Sequence, residues 1–264
     1  MRRLAMGLSV LVVAVPLTAG CGGSSGPPRA AVADNGALPS AASMDARTRL
    51  AGLAATAQDH HFRAGYRFTQ SGRPARTVLV VLAANGTWRI DVPGGALGGQ
   101  ADVAVAGTAK GLYQCTLRIP HPGCVKVADA DGSFPAAIDP RVEHPFVDWL
   151  GLLTDRRAAL SVAAAPLLAG ARGSCFSLET NSAALAAPVD PGIYCYDADG
   201  TLTGVRTAVG TLVLATAVTA APPTISLPGP ITAGAPLSTA APPTPLPSER
   251  PSEDSAQRPS GGNG

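Results

Sequence analysis

The chain has 264 residues, and its 20 Lys and Arg against 18 Asp and Glu leave a formal net charge of only +2. A balance this close to neutral indicates neither a nucleic-acid groove nor a funnel for acidic substrates, so we expect no nucleic-acid partner. When the apolar N terminus and the proline-rich C terminus are set aside, about 185 residues remain, which suits one domain with a substantial core.

The N terminus has the pattern of an export signal. Two arginines precede an apolar run over residues 8–17, and two small residues then lead to Cys21. A charged start, a short apolar segment and a small-residue cleavage site are typical of a signal peptide. The run is shorter than the roughly 20 residues that a membrane-spanning helix needs. An ordinary signal peptide, for its part, needs no cysteine after the cleavage site.

Residues 17–21, Leu-Thr-Ala-Gly-Cys, resemble the lipobox of bacterial lipoproteins. In that family the cysteine thiol receives a diacylglycerol, and the chain is cut just before the cysteine. The resemblance implies that residues 1–20 are a lipoprotein signal peptide and that acylated Cys21 holds the protein in membrane lipid, on the extracytoplasmic face of the cell membrane. Residues 21–39 are rich in Gly, Ser and Pro, and we expect them to form a flexible tether.

Four cysteines remain after Cys21, namely Cys115, Cys124, Cys175 and Cys195. An even number in an exported chain predicts disulfides, for which three connectivities are open. Local pairing, Cys115 with Cys124 and Cys175 with Cys195, is the simplest, because each pair then brackets a turn. A zinc site or a catalytic thiol is the alternative. The spacings are not those of a zinc knuckle, and an oxidising compartment argues against free thiols.

The predicted domain begins with a helix and continues mainly in strands. Apolar residues at helical spacing predict a helix over residues 44–57, with Ser43 as its N-cap. From residue 62 the apolar period changes to two, which is typical of a strand with one buried face. Asn85-Gly86 predicts a two-residue hairpin turn, and residues 93–99, with four glycines, predict a loop. Strands are predicted at residues 62–69, 77–83, 87–92, 101–105, 111–117, 125–128, 173–180, 193–196, 201–208 and 211–219.

A second helix is predicted where Pro145 can occupy the first helical turn. Its apolar positions recur at helical spacing and define one face. Residues 158–165 are ambiguous between helix and strand. The apolar face of this helix consists of Phe146, Trp149, Leu150 and Leu153.

The C-terminal part, residues 224–264, has too few large apolar residues to compensate for the entropy of ordering, so we expect it to be disordered. Two interpretations stay open for it: a wall-facing spacer, glycosylated on Ser and Thr, or a tail without a selected role.

No motif of the sequence predicts catalysis, a metal site or a cofactor. Asp-Ala-Asp-Gly occurs at residues 129–132 and 197–200, but neither copy has the later acidic ligands of a calcium loop, so both are interpreted as turns. Ser174 lies outside any Gly-x-Ser-x-Gly pattern. The four histidines lack metal-binding spacing such as two histidines four residues apart on a helix. They are His60, His61, His121 and His144.

The order of elements is helix, antiparallel strands, helix and a closing meander. With the lipobox, and with residues 86–91 (Gly-Thr-Trp-Arg-Ile-Asp) and 200–202 (Gly-Thr-Leu), this layout resembles the LolA-like lipoproteins, including the mycobacterial LppX/LprG group. The resemblance implies an α+β fold over residues 40–223, in which a strongly curved antiparallel sheet, a half-open β-barrel, wraps two or more helices and encloses an apolar pocket. The four paired cysteines are not part of the general family pattern.

This resemblance implies a surface lipoprotein that binds an apolar ligand, a lipid or acyl chain, for transport or presentation. The first alternative is a lipid-sensing regulatory or interaction module with an envelope protein as its partner, as in regulators of anti-sigma factors. The second alternative is an enzyme, for which no catalytic residues can be assembled. For each candidate lining residue the competing interpretation is plain core packing. The candidates are Phe62, Tyr66, Phe68, Trp88, Phe146, Trp149 and Leu150.

Overall fold

A computed structural model of the protein describes residues 41–118, 121–180 and 189–243. Lipobox residue Cys21, the signal peptide and the tether over residues 21–39 lie outside the described residues, and so do residues 244–264. Within the described ranges, no helix is both long enough and apolar enough to cross a membrane.

The described residues form two α-helices and twelve β-strands. The helices are α1 (Ala41–Gln58) and α2 (Asp148–Thr154), and a 3-10 turn, His144–Phe146, precedes α2. A second 3-10 turn, Leu97–Gly99, follows the third strand. The strands are β1 (Phe62–Thr69), β2 (Arg76–Leu82), β3 (Trp88–Ala96), β4 (Ala101–Thr108), β5 (Gly111–Thr116), β6 (Gly123–Ala128), β7 (Leu160–Ala165), β8 (Ser174–Thr180), β9 (Gly192–Tyr196), β10 (Leu202–Thr207), β11 (Gly210–Leu214) and β12 (Thr219–Ala220).

All the strands belong to one antiparallel sheet that does not close on itself. Its order is β6-β5-β4-β3-β2-β1-β11-β10-β9-β8-β7, and β12 pairs with the end of β1. The first arm, β1 to β6, and the second arm, β7 to β11, are each meanders, because consecutive strands are neighbours. Pairing of β1 with β11, with Tyr66 opposite Leu214, joins the arms. The structure therefore confirms the antiparallel sheet with helices.

The alternation predicted for the first strand is present in β1. Phe62, Ala64, Tyr66 and Phe68 are buried, whereas Arg63 and Arg67 are exposed. Because successive side chains of a strand point to opposite faces, the aromatic residues share the buried face. Side chains of α1, α2 and both arms of the sheet contribute to the same hydrophobic cluster.

The predicted turns are present where the sequence placed them. Asn85-Gly86 joins β2 to β3, and Gly86 has a φ of +79°, which costs glycine little because it has no Cβ. Both Asp-Ala-Asp-Gly stretches are turns, each closed by a hydrogen bond from the fourth N–H to the first carbonyl, at 3.0 Å and 3.1 Å.

Several boundaries differ from the prediction. Ser43 lies inside α1 rather than at its N-cap. Pro145 lies in the preceding 3-10 turn, and the second helix begins only at Asp148 because Val147 has non-helical φ and ψ of −128° and −97°. Residues 158–165, which were ambiguous, supply strand β7. The predicted glycine loop is partly strand, since β3 continues to Ala96 through a register shift after Val92. Glycines at this position let the strand bulge without a side-chain clash.

The C-terminal segment, residues 221–243, corrects the prediction that the domain ends at 223 and that disorder begins at 224. Cys124 N–H donates to Pro230 O at 2.8 Å, and Thr232 N–H donates to Cys124 O at 2.8 Å, so the segment pairs with the outer edge of β6. Gln114 Nε2 donates to Leu237 O at 2.9 Å, and Leu237 N–H donates back to Gln114 Oε1. Backbone pairing with an exposed strand edge holds this segment, and Leu227 and Leu237 add apolar contacts with the buried clusters.

The two disulfides each join cysteines that are consecutive in the sequence, which is the local pairing described as the simplest. Cys115–Cys124 joins β5 to β6, and Cys175–Cys195 joins β8 to β9. In each bridge the two cysteines lie directly opposite each other in the strand register. The bridges close loops with sequence separations of 9 and 20 residues. By chain entropy each contributes about 3 kcal/mol to stability.

Candidate functional site

The first pocket, which we call the histidine pocket, lies between the end of α1, the β2–β3 turn and α2. Its walls include His60, His61, Trp88, Phe146 and Leu150, and its volume is about 310 Å³. Phe146 and Leu150 are buried, and we call them the floor of the pocket; His60 and His61 are half-buried, and we call them its rim. The volume is at the lower end of the range of about 300–1,000 Å³ typical of small-molecule sites.

A second pocket, the carboxylate pocket, adjoins the first. Its volume is about 210 Å³, and its walls include Phe134, Glu143, His144 and Asp148. Trp88 and Val147 line both pockets, so these two side chains form the partition between them. The partition places an apolar surface and a group of ionisable side chains next to each other.

The partition residue Trp88 is held flat against the neighbouring strand. Trp88 in β3 lies directly opposite Gly107 in β4, and a Cβ built on Gly107 would lie 2.3 Å from the indole Nε1. Only a residue without a side chain leaves room for the ring in this position. The ring also contacts Phe134, with the two centroids 6.3 Å apart. Gly107 therefore sets where the shared wall of the two pockets stands.

Three of the seven predicted lining residues line the histidine pocket: Trp88, Phe146 and Leu150. They come from β3, the 3-10 turn and α2, which the fold brings together around the β2–β3 turn. The sequence predicted an apolar face for Phe146 and Leu150, and only a strand for Trp88.

The other four predicted lining residues are part of the core. Phe62, Tyr66 and Trp149 are buried and line none of the pockets described here. Phe68 lines a separate pocket of about 150 Å³. Tyr66 donates its hydroxyl to Leu202 O at 2.8 Å, and burial raises the pKa of this phenol well above its usual value. Most of these four side chains therefore pack in the core, as the competing interpretation expected.

A group of ionisable side chains lies at the base of the carboxylate pocket. His144 Nε2 is 2.9 Å from Asp139 Oδ2, and its Nδ1 is 2.8 Å and 3.0 Å from the two oxygens of Asp148. The imidazole stacks on Trp149, with ring centroids 4.9 Å apart. Asp139 is fixed in turn, because its Oδ1 accepts a hydrogen bond of 2.7 Å from Arg141 N–H.

Glu143 is the most unusual member of this group. The residue is 0% exposed, and neither carboxylate oxygen has a hydrogen-bond partner among the described residues. Burial, and then the negative charge of Asp139, raise the pKa of Glu143 well above its usual value, although His144 opposes the shift. A buried carboxyl without partners is costly when charged, so Glu143 is favoured in its protonated form.

The environment of His144 has the opposite effect on its charge. Burial lowers the pKa of His144, but hydrogen bonds to Asp139 and Asp148 outweigh it and raise that pKa to about 10. Burial acts to raise the pKa of Asp139, whereas the hydrogen bond from His144 lowers it, and the net shift is downward. These shifts favour an imidazolium at His144, a carboxylate at Asp139 and a neutral carboxyl at Glu143.

Sequence reasoning missed this group of side chains, because the expectation of no metal site considered the histidines only by their spacing. Asp139, Glu143, His144 and Asp148 lie within ten residues of one another, so the sequence itself shows that they are close along the chain. The group contains only one histidine, however, so it lacks the pattern of two histidines four residues apart on a helix. A turn at Arg141, whose φ is +60°, brings Asp139 back to the imidazole. The signal that could have found it is a single His with a Glu directly before it, an Asp five residues before it and an Asp four residues after it.

Comparison of the chain with known protein families and with curated proteins finds no match. The functional interpretation therefore depends on the lipobox at Cys21 and on the two pockets.

Proposed function

We propose that the protein is an exported lipoprotein, anchored through acylated Cys21, that binds the apolar part of a lipid at the histidine pocket. It acts as a binding protein for transport or presentation rather than as an enzyme. The observation that carries this proposal is the position of Trp88. Its half-buried indole walls the larger of the two adjoining pockets, whereas most of the other aromatic candidates fill the core.

The volume of the histidine pocket limits the ligand to one short chain or the end of a longer one. Each buried CH₂ contributes about 0.8 kcal/mol. About six methylenes would then give roughly 5 kcal/mol, which corresponds to a dissociation constant between about 0.1 and 1 mM. Affinity of this order suits a protein tethered to a membrane, where the lipid concentration is high. His60 and His61 at the rim would face the polar part of the ligand.

The proposal includes the finer shape expected from the family resemblance, a curved, half-open sheet wrapped around the helices. Two contacts support it. Tyr66 of β1 packs edge-on against Phe146 next to α2, with ring centroids 5.0 Å apart, and α1 contacts α2 and β7. Helix side chains and side chains from both arms thus share one core.

Tryptophan fluorescence tests the site, because Trp88 and Trp149 are the two tryptophans of the chain. In Trp149→Phe the emission comes from Trp88 in the pocket wall, and in the matched control Trp88→Phe it comes from buried Trp149. The mature chain with Cys21→Ser is titrated with a short-chain phosphatidylcholine below its micelle concentration. A saturable blue shift in Trp149→Phe alone supports the proposal. Equal shifts in both variants, or none in either, contradict it.

Anchoring is tested separately in cells. Metabolic labelling with a fatty-acid probe should mark the wild-type protein and leave Cys21→Ser unlabelled, because the thiol is the acylation site. An unlabelled wild-type protein would show that the lipobox interpretation is wrong, without bearing on the pocket.

A further inference from the structure

The base of the carboxylate pocket brings three metal-binding side chains together. Asp139, Glu143 and His144 each offer one ligand atom, and these atoms all lie within 4.8 Å of one another. A second observation is independent of this proximity. The Glu143 carboxylate is fully buried, is aimed at the other two side chains, and has no hydrogen-bond partner among the described residues for either oxygen.

We propose that Asp139, Glu143 and His144 bind one divalent transition-metal ion, for which Zn²⁺ is the best match. The donors are one imidazole nitrogen and two carboxylate oxygens. Imidazole suits zinc and related transition metals, whereas Mg²⁺ and Ca²⁺ prefer oxygen ligands throughout. Three protein ligands with one open position are the arrangement of zinc sites that accept an exogenous ligand. The open position would face the carboxylate pocket, which Glu143 and His144 line.

The residues around the three ligands hold them in a suitable orientation. Asp148 lies 2.8 Å from His144 Nδ1, so it can accept the Nδ1 proton and leave Nε2 directed at Asp139. A carboxylate behind a ligating histidine fixes the tautomer and the ring in this way. Arg141 N–H holds one oxygen of Asp139 at 2.7 Å and leaves the other for the metal. Stacking on Trp149 fixes the plane of the imidazole.

A divalent ion at this place would supply the positive charge that compensates the two carboxylates that ligate it. It would also give the buried Glu143 oxygens the partner that they lack among the described residues.

This site is independent of the proposed lipid function, since it needs neither the histidine pocket nor the anchor. The test uses the mature full-length chain, purified in mild detergent, treated with a chelator and titrated with Zn²⁺ in a calorimeter. One Zn²⁺ per chain is expected. Glu143→Gln and His144→Gln should each weaken binding by at least about 100-fold. In His61→Gln, the matched control at the histidine pocket, the affinity should be unchanged.

Cobalt supplies a second readout. Co²⁺ bound to the wild type should give the visible absorption of a four- or five-coordinate complex, and this absorption should be absent in Glu143→Gln and His144→Gln. Circular dichroism checks that both variants fold, and using two separate ligand variants keeps the test decisive if one does not. The proposal is overturned if the wild type takes up no Zn²⁺ at micromolar concentrations. It is also overturned if Glu143→Gln binds as the wild type does, or if the site is lost in His61→Gln.

Discussion

The histidine pocket and the carboxylate pocket share one wall, but their polar side chains differ in how deeply they are buried. In the histidine pocket, His60 and His61 stand at a half-buried rim, and the apolar floor consists of Phe146 and Leu150. In the carboxylate pocket, the polar group Glu143 lies at the fully buried base. A rim group keeps contact with water, whereas a buried carboxyl does not.

Under the two proposals, this difference sets what each pocket would select. The histidine pocket would gain its binding energy from apolar area removed from water, which discriminates by size and hydrophobicity. The carboxylate pocket would gain it from charge, because a cation at its base would relieve the cost of an unpartnered carboxylate. The indole of Trp88 separates the two, so changes on either side of the ring should affect one kind of ligand and spare the other.

The largest expected effect is in Leu150→Ala, which removes the floor of the histidine pocket. Leu150 is 3% exposed. Truncation of such a leucine costs about 2–5 kcal/mol in the free energy of unfolding. Urea unfolding measures this loss, and the Trp88 emission should then respond to longer acyl chains, because the pocket is larger. The exposed residue Leu167 provides the control, and Leu167→Ala should change stability by less than about 0.5 kcal/mol. A loss below 1 kcal/mol in Leu150→Ala would contradict the packing described for this floor.

Removal of a disulfide should lower stability without altering either pocket. Replacing both Cys175 and Cys195 by serine should cost about 3 kcal/mol by chain entropy, and the pair Cys115 and Cys124 slightly less, because its loop is shorter. Neither bridge lines the histidine or the carboxylate pocket. Thermal unfolding together with the lipid and zinc titrations checks this. Loss of binding at a temperature where the variant is folded would show that a bridge positions the pockets.

A change at the shared wall should affect both pockets at once. Gly107→Ala places a Cβ against the Trp88 indole, so the ring has to move, at a cost of about 1–3 kcal/mol. The variant should weaken the lipid response and shift the Trp88 emission even without ligand. Gly52 offers the matched control, since a Cβ there meets nothing within 4 Å and should stabilise α1 by roughly 0.5–1 kcal/mol. Unchanged emission in Gly107→Ala would mean that the ring does not depend on this glycine.

The smallest effect is expected in Asp148→Asn, which should distinguish zinc binding from lipid binding. Asp148→Asn leaves the three proposed ligands in place but weakens the acceptor behind His144. Zinc affinity should fall by about 10–100-fold, while the Trp88 response to phospholipid stays at the wild-type value. Asp59→Asn, an exposed carboxylate near the histidine pocket, should change neither. A fall in lipid response in Asp148→Asn would indicate that the pockets are coupled.

The sequence predicted the strands well because the signal for a strand is local. Alternation of buried and exposed residues in β1 follows from side chains pointing to opposite faces. Asn85-Gly86 determines the β2–β3 hairpin through its own backbone conformation. The disulfides are also local features, since Cys115–Cys124 and Cys175–Cys195 each connect consecutive strands of a meander.

The C-terminal segment was predicted incorrectly because its order comes from a partner far away in the chain. Residues 224–243 contain few large apolar side chains, and by themselves they indicate a tail. Their backbone pairs with Cys124 and Leu97, which lie more than 100 residues earlier. Composition reports what a segment can bury, but not which unpaired strand edge is available to it.

The sequence alone contained the export and lipobox pattern at Cys21, the antiparallel strands and local pairing as the simplest of three cysteine connectivities, since each depends on residues that are near one another in the chain. Tertiary structure alone decided which aromatic residues pack in the core and which, like Trp88, line a pocket. It also decided that Glu143 is buried beside His144 rather than exposed. Periodicity reports that a residue is apolar and shares a face, whereas its final neighbours depend on how distant segments pack.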